Sequence, residues 1–386
     1  MRRSRSASVM VLAGVLATVT VVATACTSAT PPTPGIAISL TQGNCGGAWH
    51  ASGGIATFNV TNHDIQTTEV DLIDPHTGGA YAEVESLAPS ASRPMRVSLG
   101  RGEYAFRCYP EDNDAVNGPT ETIAGGTGTQ AVLPVSNLDL AGPIKTYDTY
   151  IAGGVATLKS DATKLDAAVH GGSRSKAKAA WLVAHLDYNR LGAAYDAFGD
   201  FADEIDGMPD GLPGGVHDPD FTGFHRIEYG LWRSESMTSL AKQADLLVHN
   251  IAALQTDLPN EQIDPNDMPL RAHEIMENTL EFQLSGHADE GSGTSMATAV
   301  ANLDGTQHVL DAIAPVFAAR YVGWPSVATW MTTARTAFET AQRSDGTWIP
   351  VDQLSYADRQ QIDAAAGGLL EALAPIAAIG DVRRTQ

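Results

Sequence analysis

His225 and Glu228 are the two residues of this chain whose types and spacing point most directly to chemistry. Aromatic and aliphatic residues around them recur at the spacing of a core-facing helix, and Asp218 followed by Pro219 predicts where that helix begins. Both side chains therefore fall inside an apolar stripe, one turn apart. A carboxylate is costly to bury without a cation, a proton or a donor. Helical bundles hold metal ions with a His and a Glu at this spacing, so the pair predicts half of a metal site.

The same pair has a simpler interpretation. A buried imidazole and a carboxylate can hydrogen-bond to each other, or to an arginine of a neighbouring helix, without any ion. Short motifs also arise by chance, so both interpretations stay open at this point. His273-Glu274 begins like a zinc-peptidase motif, but Glu277 stands where the second histidine would be needed. No catalytic residue is predicted.

The N-terminus has the pattern of a bacterial export signal. Basic residues precede an apolar run over residues 9–23, which is too short for a membrane span, and small residues then lead to Cys26. A cysteine at this place resembles the lipobox of bacterial lipoproteins. It implies that residues 1–25 are removed, that Cys26 is lipidated, and that residues 26–35 form a tether. Ordinary cleavage, which would leave a free thiol at Cys26, is the alternative.

Cysteine usage fits an oxidising compartment outside the cytoplasm. The chain has three cysteines, an odd number for an exported protein until Cys26 is assigned to lipid. Cys45 and Cys108 then remain as one candidate disulfide.

Acidic residues dominate the composition. There are 45 Asp and Glu against 24 Lys and Arg, a formal charge of −21, and removal of the signal's arginines makes the exported chain more acidic still. Such a chain repels nucleic acid and anionic lipid, so we expect no nucleic-acid partner and membrane contact through the lipid anchor alone. It attracts cations.

Two sequence patterns predict a multidomain fold. Short alternating segments between turn-rich connections predict an all-β sandwich over residues 36–135, and residues 136–145 read as a linker. Ala- and Leu-rich periodicity then predicts an all-α helical bundle over residues 146–386. The predicted strands are 36–40, 54–60, 69–73, 93–99 and 103–108. The predicted helices are 146–169, 175–205, 219–233, 237–258, 267–284, 294–319, 325–342 and 356–377.

The segment around His225 resembles a known family. Residues 221–228, which read Phe-Thr-Gly-Phe-His-Arg-Ile-Glu, are similar to the His-x-x-Glu motif of the imelysin family, and weaker similarities occur at residues 188–190, 285–289 and 301–305. The order of lipoprotein signal, small β domain and helical domain resembles the EfeO-type branch of that family, in which the β domain is cupredoxin-like. The resemblance covers nearly all of the exported chain.

The resemblance implies a function. It suggests an extracytoplasmic, lipid-anchored protein that binds iron, or zinc or another divalent ion, and delivers it to a membrane iron permease that works with a haem peroxidase. Imelysin also carries a metallopeptidase label, and a degenerate member that serves only protein contact is a third alternative. The acidic charge and the absence of a nucleophile motif favour binding over catalysis.

Departures from the family bear on the site. Its iron-uptake members read Tyr-Glu-Arg-x-Glu where residues 188–192 of this chain read Tyr-Asn-Arg-Leu-Gly, without either carboxylate. His185, one turn before Asn189, is a candidate replacement ligand that would favour later transition metals, although it is equally consistent with a core histidine. Glu277 lies near an acidic position of the family and is a further candidate ligand, although a solvated helix face explains most acids there.

The β domain departs from the cupredoxins in the same way. Cys108 is followed by Tyr-Pro-Glu-Asp-Asn-Asp, whereas a blue-copper site needs a Cys with nearby His and usually Met. We therefore expect no blue copper in this chain.

Overall fold

The computed structural model describes residues 35–192 and 198–383. The predicted signal peptide, Cys26 and all but the last residue of the predicted tether lie outside the described residues. The first part of the described chain is built from strands. They are β1 (Ile36–Thr41), β2 (Asn44–Cys45), β3 (Gly54–Asn62), β4 (Thr68–Ile73), β5 (Ala80–Leu87), β6 (Ser92–Leu99), β7 (Gly102–Pro110), β8 (Val116–Asn117) and β9 (Glu121–Ile123).

These strands form two sheets that face each other, which confirms the predicted β-sandwich. One sheet has the order β2-β1-β3-β6, and the other has the order β5-β4-β7-β8 with β9 also paired to β7. Trp49, Phe58 and Phe106 pack edge-to-face between the sheets, with ring centroids 5.0–5.6 Å apart. A disulfide joins Cys45 of one sheet to Cys108 of the other, as the cysteine count predicts. The sulfur of Cys108 is therefore not a free thiolate ligand.

All five predicted strands are present, with small shifts in their ends, but β5 and the short strands β2, β8 and β9 were not predicted from the sequence. The burial pattern of β5 explains why it was missed. Most of its side chains are partly or fully exposed, and Glu83 and Glu85 lie in its centre, so it lacks the apolar alternation that identifies a strand.

The rest of the described chain is helical, as predicted. The helices are α1 (Asn137–His170), α2 (Arg174–Asn189), α3 (Asp200–Asp206), α4 (Gly223–Trp232), α5 (Met237–Asp257), α6 (Asp267–Asn278), α7 (Ser295–Phe317), α8 (Trp324–Glu339) and α9 (Tyr356–Gly380). A π-helical turn (Thr279–Gln283) continues α6.

The predicted linker at residues 136–145 is wrong, because these residues form the start of α1. Ser136 and Asp139 make a capping box in which each side chain pairs with the backbone N–H of the other. Pro143, which falls within the predicted linker, lies buried inside the helix.

The predicted start of α4 is also wrong. The helix begins at Gly223, and the Asp218 carboxylate instead accepts hydrogen bonds from the backbone N–H groups of Gly214 and Asp220, which closes the preceding loop. The single helix predicted over residues 175–205 is divided into α2 and α3.

Among the described residues, α9 is the helix long and apolar enough to cross a membrane by length and composition. It packs against α6 and α8, and its Leu369, Leu373 and Ile376 are buried. This packing is that of a core helix of the bundle.

Candidate metal centre

The site lies where α2, α3 and α4 meet, and a tryptophan fixes two of these helices together. The indole Nε1–H of Trp181 in α2 donates to the carbonyl oxygen of Phe224 in α4, at 2.9 Å. The ring of His185, one turn further along α2, stacks on Trp181 with a centroid distance of 4.7 Å. His185 is thereby held against the face of α4 that carries His225.

Gly223 brings α3 to the same place. Its φ is +78°, and a Cβ at this position would lie 2.2 Å from the carbonyl oxygen of Ile205, so only glycine permits this approach. The hydroxyl of Thr222 donates to the carbonyl oxygen of Glu204 at 3.1 Å and fixes the contact further. The end of α3, where Asp206 lies, is therefore next to the first turn of α4.

His185, Asp206 and His225 form a compact group of metal-ligand types. The Asp206 Oδ1 atom lies 3.2 Å from His185 Nε2 and 3.7 Å from His225 Nε2. One ligand atom from each of the three residues lies within 4.8 Å of the others. Both histidines are only 3% exposed. This is the spacing that a single cation would bridge.

Three buried polar atoms of this group, on His185 and Asp206, lack hydrogen bonds. Neither ring nitrogen of His185 makes one, and neither does the buried Asp206 Oδ1, although the ion-pair distance between them is short. Buried polar groups in native proteins nearly always have partners, and an unpaired one needs an explanation such as a bound ion. The donor set, two imidazoles and a carboxylate, suits a divalent transition metal.

Glu228 lies on the other side of the His225 ring. Its Oε2 atom is 3.4 Å from His225 Nδ1, while Asp206 faces Nε2. Its Oε1 atom accepts a hydrogen bond from the backbone N–H of Ser292 at 2.9 Å, and the side chain is 1% exposed. A carboxylate that holds the second nitrogen of a metal-binding histidine fixes its orientation and tautomer. In this geometry Glu228 contacts Nδ1 of His225, whereas Asp206 faces Nε2, and Glu228 is not part of the group of three ligand atoms.

The carboxylates also control the charge of His225. Burial alone would lower the pKa of His225, but Asp206, Glu228 and Glu290 oppose this and raise it to about 9. Burial and the neighbouring charge of Glu228 in turn raise the pKa of Glu290. At neutral pH the imidazole of the ion-free protein is thus protonated, and a metal ion must displace that proton.

A small cavity and a larger groove meet at Asp206. The cavity has a volume of about 140 Å³ and is lined by His225, Asp206, Asn189 and Gly192 among others. The groove has a volume of about 1020 Å³ and opens on the outer side of Asp206. Its lining includes the carboxylates Asp200, Asp203, Glu204, Asp206, Asp210 and Asp220. Asp206, Met208 and Phe282 line both spaces, so the groove adjoins the cavity at Asp206.

Only some of the predicted site residues lie close together in the structure. It brings His185, His225 and Glu228 together but places Glu277 elsewhere, exposed on α6 with its carboxylate 3.6 Å from His273. Asp206 was missed from the sequence. The signal for it was an acid at the end of a helical pattern, directly before Gly207, but nothing in the spacing connected it to a histidine two segments later.

Two of the weaker family-like segments have structural roles. Arg190 Nε donates to Asp304 at 3.2 Å, and Arg335 donates to the other oxygen of the same carboxylate at 2.6 Å. A Cβ at Gly305 would lie 2.8 Å from the carbonyl oxygen of Arg190. These contacts fix α7 against α2 and α8, and so support the walls of the cavity.

Comparison with known proteins gives consistent matches. Residues 143–321 match the imelysin family. The chain is 27% identical over 266 residues to the iron uptake system component EfeO of Escherichia coli O1:K1 / APEC, which covers 68% of each chain. It is 29% identical over 234 residues to the EfeO protein of Yersinia pseudotuberculosis serotype I and 30% identical over 234 residues to that of Yersinia pestis, in both cases over 61% of each chain.

Proposed function

We propose that this chain, which matches the imelysin family over residues 143–321 and is similar to EfeO proteins, is a metal-binding component of an iron uptake system. In this proposal His185, Asp206 and His225 hold the ion. One observation carries it: three metal-ligand side chains converge within 4.8 Å, while both ring nitrogens of His185 and the buried Oδ1 of Asp206 lack hydrogen-bond partners. A purely structural cluster would be expected to pair these atoms.

The types of ligand limit which ions the proposed site would bind. Two imidazoles and one carboxylate favour ferrous iron, zinc or a similar divalent ion over the hard cations that prefer oxygen alone. Glu228 would orient His225 through Nδ1 and support the positive charge of the bound ion. Because His225 loses a proton when the ion binds, uptake would release a proton to solvent.

The acidic groove supports capture of a cation. Carboxylates along its wall raise the local cation concentration, and low-dielectric walls strengthen this effect. Asp206 lies at the point where the groove meets the inner cavity. An ion would therefore pass from the groove directly to its first ligand.

The geometry favours binding over peptidase chemistry. The rings of Trp181, Phe224 and His225 pack around His185. The cavity beside this group has a volume of about 140 Å³. This volume suits an ion with a few water molecules but not a peptide segment. The degenerate, metal-free alternative leaves the unpaired nitrogens of His185 without explanation.

We also propose an extracytoplasmic place for the chain, anchored by lipid on Cys26. The Cys45–Cys108 disulfide supports an oxidising compartment. The relatives' name, iron uptake system component, implies that other proteins take part in that system. By resemblance, a membrane iron permease would receive the ion, and a haem peroxidase would work beside it.

Metal titration of residues 27–386, which retain the whole described chain, tests the proposed site. We expect the wild type to bind one equivalent of ferrous iron or zinc under anaerobic conditions, and His225→Ala to lose this uptake while its circular dichroism stays helical. His249→Ala, which removes an exposed histidine of α5, is the matched control and should bind as the wild type does. A wild-type chain that binds neither ion would end the proposal.

A further inference from the structure

Three carboxylates cluster on the β-sandwich, far along the chain from the helical site. They belong to Glu69 and Asp71 of β4 and Glu83 of β5, and one oxygen of each lies within 4.8 Å of the others. Side chains two apart on a strand share a face, and Asp71 is directly opposite Glu83 in the strand pairing. Like charges placed directly opposite each other destabilise a sheet unless something offsets them.

Asp71 is the unusual member. Its neighbours Val70 and Leu72 point into the sandwich core, so Asp71 faces outward, yet it is only 1% exposed. Its Oδ1 atom is buried without a hydrogen-bond partner. Burial first, and then the charges of Glu69 and Glu83, raise the pKa of Asp71 to about 7. A buried, unpaired oxygen directed at two further carboxylates calls for a proton or a cation.

The arginines nearby are already engaged. Arg383 donates to both oxygens of Glu83, at 2.9 and 2.6 Å, and forms an ion pair with Glu85 at 3.0 Å. Arg107, opposite Asp71 on β7, donates through Nε to Asn117 at 2.7 Å. The guanidinium groups of Arg383 and Arg107 offset part of the charge around Asp71, but neither donates a hydrogen bond to its buried Oδ1 atom.

We propose that Glu69, Asp71 and Glu83 bind a divalent cation of the oxygen-preferring class, such as Ca²⁺ or Mn²⁺. The site lies at the seam between the sandwich and the C-terminal segment, where Arg383 N–H donates to the carbonyl oxygen of Val135. Carboxylate oxygens alone suit hard cations, in contrast to the imidazole-containing helical site. An adjoining open pocket of about 560 Å³, lined by Glu69 and Arg383 among others, leaves room for water ligands.

This proposed site is independent of the proposed function. Its test therefore uses a protein without the helical site, so that binding at the sandwich is measured alone. Residues 27–386 carrying His225→Ala, which lack the helical site, are titrated with Ca²⁺ by calorimetry and with Mn²⁺ by electron paramagnetic resonance. We expect one equivalent to bind, with a dissociation constant of about 1 mM or lower, the range of extracellular calcium modules. Adding Asp71→Asn should weaken binding by about tenfold or more.

Asp114→Asn is the matched control, because it removes an exposed carboxylate from another acidic segment of the sandwich. It should leave binding unchanged. If Asp71→Asn does not fold, Glu69→Gln replaces it with the same expected loss. The proposal is overturned if no Ca²⁺ or Mn²⁺ binds, or if folded Asp71→Asn and Glu69→Gln proteins bind as well as their parent. Absence of binding together with a higher melting temperature of Asp71→Asn would assign the cluster to a shared proton instead.

Discussion

The Oδ1 atom of Asp206 lies 3.2 Å from Nε2 of His185, although α2 and α3 are separate elements of the chain. This contact decides the chemistry of the candidate site. Where the resemblance to the imelysin family implies carboxylates at the end of α2 and just after it, this chain has Asn189 and Gly192, and His185 on the preceding turn brings an imidazole to the site instead. A site of this composition contains more nitrogen and less negative charge than the family pattern implies.

Asp206 and Glu228 should differ in their effect on metal uptake. Asp206→Asn replaces the ligand shared by both histidines with a weaker neutral donor, so we expect stoichiometric uptake of ferrous iron and zinc to be lost. Glu228→Gln keeps a hydrogen-bond partner for His225 Nδ1, so we expect affinity to fall by about 10- to 100-fold with the stoichiometry retained. Calorimetric titration of both variants measures the difference.

Asp203→Asn, which changes an exposed carboxylate of the same helix, serves as the control and should keep wild-type stoichiometry. Equal and complete loss in the Asp206 and Glu228 variants would show that Glu228 is itself a ligand, as its spacing from His225 first suggested.

The stability of the ion-free chain should fall at alkaline pH because of His225. Its pKa is raised from 6.5 to about 9 in the folded protein, so its stabilising charge is fully present below 6.5 and is lost as the pH rises through 9. The shift corresponds to roughly 3 kcal/mol of unfolding free energy. Urea unfolding of metal-free protein on either side of this window should show the loss, and His225→Gln should remove it. Parallel pH profiles for the two proteins would refute the assignment.

Metal affinity should change in the opposite direction with pH. Because the ion competes with the His225 proton, affinity rises until the imidazole is neutral near pH 9. Titrations in buffers of different ionisation enthalpy count the released protons, and the count should be close to one per ion at neutral pH. A count of zero would place His225 outside the coordination sphere.

The disulfide should stabilise the sandwich without affecting the helical site. Cys45 and Cys108 are 63 residues apart, which corresponds to about 4 kcal/mol of unfolding free energy in the chain-entropy description. A variant carrying Cys45→Ala and Cys108→Ala should unfold its sandwich at lower urea, as followed by hydrogen exchange of the strand amides. Its uptake of ferrous iron should equal that of the parent, and a parallel loss would indicate that the sandwich supports the helical site.

Periodicity was sufficient to predict most of the fold. The sandwich and the bundle have distinct apolar repeats, and the helix ends at α5 and α7 were predicted to within two residues. Two of the helix starts were misplaced because proline was given too much weight as a boundary residue. Pro143 lies inside α1, stabilised at its start by the Ser136 cap, and α4 begins at Gly223 and not at Pro219.

The candidate site was only half predictable. His225 and Glu228 share one helix, so their relation follows from spacing alone. Asp206 joins them because Gly223 lets two backbones approach closely, and a linear sequence does not show which backbones meet. Glu277 matched a family position by type, but the face of α6 that carries it is exposed.

Membrane attachment should depend on Cys26, which lies outside the described residues. We expect Cys26→Ser to release the chain from the membrane fraction, because one lipid-modified cysteine supplies the proposed anchor. Mass spectrometry of the wild-type N-terminal peptide should show an acylated Cys26. A mature N-terminus at another residue, or an unmodified thiol, would rule out the anchor.

Asn189→Glu should shift the metal preference of the site towards harder ions. Asn189 is 4% exposed and lines the cavity beside His225 and Asp206, so a carboxylate there restores the residue type that the imelysin resemblance implies. A full negative charge near the ion favours ferric iron more than zinc, because the interaction scales with the ion's charge; we expect the ferric-to-zinc affinity ratio to rise by about tenfold or more. Without metal, the added charge shares the cavity with Asp206 and should cost about 1 to 3 kcal/mol of stability. Asn189→Gln adds the same length without the charge and should change neither quantity in this way. Competitive titration with both ions measures the ratio, and equal ratios in the Glu and Gln variants would show that the cavity wall does not contact the bound ion.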